Sequence, residues 1–239
     1  MGSRLLKGII GIMKKGTFYT ELAYVFGIIA LAIGTALSER ADFGMSMIVA
    51  PAYILHLKIS ESLPFFTFGM AEYCLQAVLL ILLAVVIGRF KKMYLFSFVT
   101  AVIYGFTLDG IMWLVARIPE TGIAGRVVFF IGGMLMCSLG VAFVFHTYIA
   151  PEAYELFVKE VALKYNKEMH IVKYIYDWSS CIIAIVLSFI FWGFWHFEGV
   201  KAGTLVCALL NGLIIGVMDR FLDSHFDFKD GLKFGKYFE

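Results

Sequence analysis

The sequence predicts an all-α polytopic membrane protein. It has six transmembrane helices arranged as two inverted three-helix repeats, with short half-helix segments. Three observations carry that expectation. Of the 239 residues, 61% are hydrophobic and only 16% are charged, against roughly 25% charged in soluble domains. Six stretches reach the ~20 apolar residues that a helix needs to cross a bilayer. An Ala-Pro segment, Ala50-Pro51 and Ala150-Pro151, recurs at matching places in the two halves.

The composition also excludes classes. A soluble globule of this length cannot hide so much apolar surface, whereas lipid is itself the apolar phase. The mean hydropathy is +0.87. The net charge is only +2 and the basic residues are scattered, which excludes nucleic acid as a partner. Cys74, Cys137, Cys181 and Cys207 lie in apolar runs at no metal-ligand spacing. They read as small buried hydrophobes, so neither metal nor cofactor is expected. No G-x-S-x-G, Walker A or H-E-x-x-H motif occurs, and the chain does not read as an enzyme.

The elements follow in order. Residues 1–16 form an arm in which Leu5–Lys15 alternates apolar side chains with lysines, as in a helix lying in the headgroup layer. It carries no myristoylation signal, because position 6 is Leu. The first repeat covers 17–117. Its first span is Phe18–Ser38. Ala36-Leu37-Ser38 resembles a signal cleavage site, but the apolar run is longer than a signal peptide needs. Met45–Leu57 is too short to span and contains Pro51, so it reads as a re-entrant or interfacial half-helix. Phe65–Gly88 and Tyr94–Val115 complete this half. The second repeat covers 118–222, with spans Gly125–Thr147, Val172–Trp195 and Gly203–Leu222. The tail 223–239 places Phe226, Phe228, Phe234 and Phe238 among charges and reads as interfacial. Its Asp223-x-His225-x-Asp227 string reads as solvated rather than metal-binding.

Charge sorts between the two sides. Arg4, Lys7, Lys14, Lys15, Arg89, Lys91, Lys92, Lys159, Lys164, Lys167, Arg220, Lys229, Lys233 and Lys236 fall on one side. Arg40, Lys58, Arg117, Arg126 and Lys201 fall on the other. The positive-inside bias then places both termini in the cytoplasm.

The halves resemble each other beyond the Ala-Pro segments. Gly34-Thr35-Ala36 precedes one and Gly140-Val141-Ala142 the other. A long apolar helix with one acid follows each. That acid is Glu72 in the first half and Asp177 in the second, and Gly88 and Gly193 lie the same distance beyond. Each half closes on a Gly-and-acid helix, with Gly105 and Asp109 in one and Gly212 and Asp219 in the other. Three spans per unit is odd, so the units must be inverted. Inverted repeats with broken or short helices at the midplane are a transporter architecture.

Ala41-Asp42-Phe43-Gly44-Met45-Ser46 resembles the A-D-L-G-x-S-P-W signature of bacterial YczE/YitT-like integral membrane proteins. Thr100-Ala101-Val102-Ile103-Tyr104-Gly105 and Gly203-Thr204-Leu205-Val206-Cys207-Ala208-Leu209-Leu210 resemble that family's Gly-Thr and Gly-Asp helices. Met47 stands where the family has Pro, and His146-Thr147-Tyr148-Ile149 stands where a second A-D-L-G would fall. The resemblance implies a multi-pass protein of the bacterial inner membrane with a duplicated fold. It supplies no substrate.

An ionisable group in a span costs ~2.5–3.5 kcal/mol on insertion scales, which makes it a functional candidate. Asp109, Glu72 and Asp177 lie inside spans. They bind a cation or protonated solute, relay protons, or pair with neighbouring helices. Glu21 and Asp219 lie near span ends and reach water. Ser46, Gly44, His146, Tyr53 and Tyr154 join the acids as substrate-binding candidates. Gly44 and Ser46 begin the half-helix, whose free N–H groups suit an anionic group, or Ser46 merely caps it. Glu39, Arg40 and Asp42 hold that segment through an Arg–carboxylate pair, or form an outer mouth. Pro51, Pro151, Gly105 and Gly212 read as structural. Arg126 snorkels to the interface. Glu152, Glu155 and Glu160 mix with lysines and read as a solvated helix face. Gly132, Gly133 and Gly140 fit close helix packing.

The function this implies is transport of a small molecule or ion by alternating access at a midplane site. The alternatives are a substrate-binding membrane subunit of a larger uptake system and a regulatory or lipid-handling membrane protein. The lipid bilayer is the expected partner, and the glycine-rich spans are compatible with a homodimer.

Overall fold

Six long helices appear within three residues of the expected ends, and each is long and apolar enough to cross a membrane. The structure is a computed structural model that describes residues 16–119 and 122–232. The arm predicted over Leu5–Lys15, and Lys233, Phe234, Lys236 and Phe238 of the tail, lie outside the described residues. In chain order the helices are α1 (Thr20–Ala41), α2 (Ala50–Ser60), α3 (Phe68–Ile87) and α4 (Lys92–Val115). They continue as α5 (Ile123–Phe145), α6 (Ala153–Tyr165), α7 (Met169–Trp192) and α8 (Ala202–His225).

Local chemistry sets the ends. The Thr67 hydroxyl accepts the Met70 N–H and caps the start of α3. Gly88, at φ +80°, ends α3 in the left-handed region where glycine costs least. Pro51 occupies the first turn of α2, where its missing N–H leaves no bond unmade.

Two strands add to the expected all-α plan. β1 (Gly16–Tyr19) pairs in parallel with β2 (Phe226–Lys229), Gly16 opposite Phe226 and Tyr19 opposite Lys229. The Phe18 ring meets those of Phe226 and Phe228 at 5.4 and 5.7 Å. Residues 226–229 of the tail therefore form a strand paired with the segment just before α1. Beside it, Glu21 accepts the Gly231 and Leu232 N–H groups at 3.1 and 2.8 Å. The start of α1 and the end of α8 thus share one side.

The order long, short, long, long occurs twice: α1–α2–α3–α4 and α5–α6–α7–α8. The packing is reciprocal. α1 crosses α5, α4 lies on α1, and α8 lies on α5. Each short helix rests against both α3 and α7. The α1–α5 crossing uses backbone contact. A methyl on Gly34 would stand 2.7 Å from the Gly133 carbonyl oxygen, and one on Gly133 2.8 Å from the Gly34 oxygen. Gly27 and Gly140 oppose each other in the same way, at 3.0 and 2.8 Å. Without a hydrophobic drive between helices in lipid, such close approach supplies van der Waals packing.

The reciprocity breaks at one place. α3 packs along α4, whereas among the described residues α7 and α8 make no comparable contact. Residues of both helices line a shared cavity instead. α8 leaves much of its surface to lipid, with Leu209 75% and Leu213 68% exposed.

The first half-helix runs 50–60 rather than 45–57, because residues 47–49 form a turn. The solvated face expected for Glu160 is buried, and Lys91 Nζ lies 2.5 Å from its carboxylate. Arg126 does not simply reach for the interface. It donates to the Ala41 carbonyl at 2.8 Å and to Asp42 Oδ2 at 2.9 Å. Cys181 and Cys207 are buried as expected, but Cys74 is exposed.

Candidate functional site: a polar cavity between the halves

The unwound segment 146–152 determines the site. Non-helical backbone that is buried must find partners inside the protein. Here α4 provides them: Ser97 Oγ donates to the Pro151 carbonyl at 2.7 Å, and Thr100 Oγ1 to the Ala150 carbonyl at 3.0 Å. α3 satisfies the helix start, since the Ala153 N–H donates to Gln76 Oε1 at 3.1 Å. Four N–H groups at a helix start need such partners. The result fixes Glu152, Tyr154 and Glu155 at the head of α6.

These residues face a cavity of about 330 Å³. Its wall includes Thr35 of α1, Ser46, Tyr104 of α4, Ser138 of α5, Asp177 of α7 and Asn211 of α8. Both halves therefore contribute. Thr35 Oγ1 and Tyr104 Oη are 2.9 Å apart. Lys173 Nζ sits 2.9 Å from Glu155 Oε1 and 3.7 Å from Asp177 Oδ1.

Several cavity atoms are buried without a hydrogen-bond partner: Glu152 Oε1, Ser138 Oγ and Asn211 Oδ1, while Asp177 Oδ1 is buried facing Lys173 Nζ across 3.7 Å. Buried polar groups are normally paired, and an unpaired one costs ~1–3 kcal/mol. Behind the wall, Glu72 is fully buried. Tyr154 Oη donates to its Oε2 at 2.8 Å, and its Oε1 has no partner. Gln76 Nε2 reaches Glu152 Oε2 at 3.4 Å, a long contact. Burial first, then the nearby Glu72 and Glu155 carboxyls, push the Glu152 carboxyl up to about 8. Lys173 is the one cation among the cavity-lining residues described, against Glu152, Glu155 and Asp177. The site suits a cation or a group that donates several hydrogen bonds. Among the described residues, no three His, Cys, Asp or Glu converge as a metal would require.

The expected site residues divide. Asp177, Tyr154, Ser46 and Gly212 line the cavity, and Glu72 lies just behind Tyr154. Asp109 is elsewhere. Thr67 Oγ1 donates to its Oδ2 at 2.6 Å and the Gly69 N–H to its Oδ1 at 2.8 Å, so it anchors the start of α3. His146 ties α5 to the end of α8: its Nδ1 lies 2.8 Å from the Ala142 carbonyl and its Nε2 3.0 Å from Asp223 Oδ1. Tyr53 packs edge-on against Phe68 at 5.2 Å.

Gly44 does not open a helix. At φ +106° it lets the chain touch α8, and a methyl there would stand 2.6 Å from Thr204 Oγ1. Ser46 accepts the Ala50 N–H through its own carbonyl at 2.9 Å rather than beginning a helix. Asp42 is held by Arg126 and Lys201, not by Arg40, which donates to the Ile118 carbonyl at 2.7 Å. Glu39, in the last turn of α1, is half-buried beside them. Gly105 lies against Gly69 where α3 and α4 meet, a contact too close for a side chain. Gly212 has open space around it.

Glu152, Glu155, Lys173, Gln76 and Asn211 are the functional candidates that the sequence reading missed. One signal was available: Glu152 directly follows Pro151, whereas Ala52 follows Pro51. Another was Gln76, one turn beyond Glu72 in an otherwise apolar helix.

No curated protein and no solved structure matches the chain. A family model, described as a family of unknown function, DUF6198, matches residues 18–220. Since that match spans the described helices nearly end to end, the chain belongs to the DUF6198 family.

Proposed function

We propose that the protein is a membrane transporter for a small cationic solute and that the cavity headed by α6 is its binding site. The observation that carries this reading is the set of unpartnered, buried oxygens on Glu152, Ser138 and Asn211 around one cavity, with the Asp177 carboxylate beside them. Three carboxyls against one lysine favour a positive charge. The reciprocal packing of the halves supports an inverted repeat, and the wall is shared between them. Rocking one half against the other would expose such a site to each side in turn. The excess of Lys and Arg on the side of the chain ends supports cytoplasmic termini. The motif at 41–46 supports a bacterial inner membrane and kinship with the YczE/YitT-like proteins.

A second reading is a substrate-binding subunit of a larger uptake system. The lipid-facing surface of α8 favours it, since a partner could lie there. The test is thermal stability of the purified protein against a panel of cations, anions and neutral metabolites, followed by uptake into vesicles. A ligand of the folded state raises stability by mass action, by about 2.7 kcal/mol at one hundred times Kd. A cation that stabilises the wild type, not Asp177→Asn, and enters vesicles supports transport. Stabilisation without uptake supports the subunit. A panel in which no cation acts rejects both.

A further inference from the structure

Glu72 and Glu152 come from different halves and lie behind and beside the same cavity. Glu72 is 0% exposed, with one oxygen bound by Tyr154 and the other unpartnered. Glu152 has one oxygen at the long Gln76 contact and the other unpartnered. Gln76 faces both carboxyls. The other titratable groups facing them are Tyr24 of α1, Tyr104 of α4, Cys137 of α5, Tyr154 and Glu155 of α6, and Tyr176 of α7. None is a cation. Lys173, which lines the same cavity, is engaged by Glu155 and Asp177.

We infer that Glu72 and Glu152 hold an exchangeable proton between them, and that a cation entering the cavity displaces it. This rests on the transport reading above. Two buried carboxylates without a counter-ion repel and lack hydration, so at least one stays a neutral acid. When a monovalent cation binds, the acid O–H bond breaks and the proton leaves through the cavity to water. The carboxylate left behind is neutralised by the cation. One positive charge enters as one departs, so the buried charge is unchanged. Glu152, which lines the cavity, meets the cation; Glu72, behind Tyr154, supplies the second buried carboxyl. The protein would then exchange its solute against protons.

The test is infrared titration of the full chain in phosphatidylethanolamine–phosphatidylglycerol vesicles, following the carbonyl stretch of protonated carboxylic acids. The wild type is expected to show this band at pH 7 and to lose it as pH rises further. Glu72→Gln and Glu152→Gln each reduce it. Guanidinium, tetramethylammonium and sodium are the probes, and at least one is expected to weaken the band at pH 7. No band at pH 7, a band untouched by both variants, or a band that no probe changes overturns the inference. The wild-type titration decides even where a variant fails to fold. A solute carried without change in the band defeats the exchange and leaves transport standing. A responsive band with no carried solute defeats transport and leaves the proton pair standing.

Discussion

Tyr154, on the short helix of the second half, donates a 2.8 Å hydrogen bond to Glu72 on the third helix of the first. Both residues are buried. The bond joins the two halves beside the cavity and gives the most deeply buried acid its hydroxyl partner. Tyr154→Phe is expected to lower stability by about 1–3 kcal/mol, the cost of leaving a buried group unpaired. Thermal unfolding in detergent reads this. In a Glu72→Gln background the loss should shrink, and equal losses in both backgrounds would show that the bond contributes nothing.

The pH dependence has a definite sign. Burial raises the Glu152 carboxyl from 4.5 to about 8. The fold therefore favours the neutral acid. That stability is fully present below pH ~4.5 and is lost as pH rises through ~8. The unfolding temperature should fall between these values, and Glu152→Gln should flatten the profile. A wild-type profile already flat from pH 5 to 9 contradicts the assignment.

Asp109 and Asp177 should separate stability from binding. Asp109→Asn replaces a carboxylate that accepts from both Thr67 and Gly69, and should cost about 0.5–2 kcal/mol of stability, as loss of a helix cap does. It should leave cation binding unchanged. Asp177→Asn should do the reverse, weakening binding of a stabilising cation more than tenfold with a smaller change in unfolding temperature. Calorimetric titration of both variants checks the contrast.

The helix crossing offers a steric test. A methyl on Gly34 would come within 2.5 Å of the Cys137 backbone nitrogen, whereas Gly212 has nothing within 4 Å. Gly34→Ala should destabilise by about 1–3 kcal/mol through overpacking. Gly212→Ala should be close to neutral. Folded yield after membrane extraction, measured by size-exclusion profile, distinguishes them.

The spans were legible because lipid demands length and apolarity, and both are local properties of sequence. Gly133 and Gly140 were legible for the same reason, being small residues in apolar helices. The site was half legible. Asp177 and Tyr154 were visible through the likeness between the two halves of the sequence. Glu152, Glu155 and Glu160 were not, because three acids among lysines look like a wet face. Their burial comes from partners far along the chain, Gln76, Lys173 and Lys91, which no periodicity connects. Asp109 illustrates the alternative that an acid deep in an apolar run always carries: it pairs a neighbouring helix, holding Thr67 and Gly69 at the start of α3. The start of α2 was misplaced because residues 47–49 form a turn that their apolar composition does not reveal.

The two glycine pairs of the α1–α5 crossing have a mechanical consequence. Gly27 meets Gly140 and Gly34 meets Gly133, backbone to backbone, one heptad apart on each helix. Two fixed points define a line. If both contacts persist, one half can turn relative to the other only about that line, like a door on two pins. Sliding and twisting would break one pin. Distances measured between labels on the two halves should then follow a single arc, and every label pair should report the same angle.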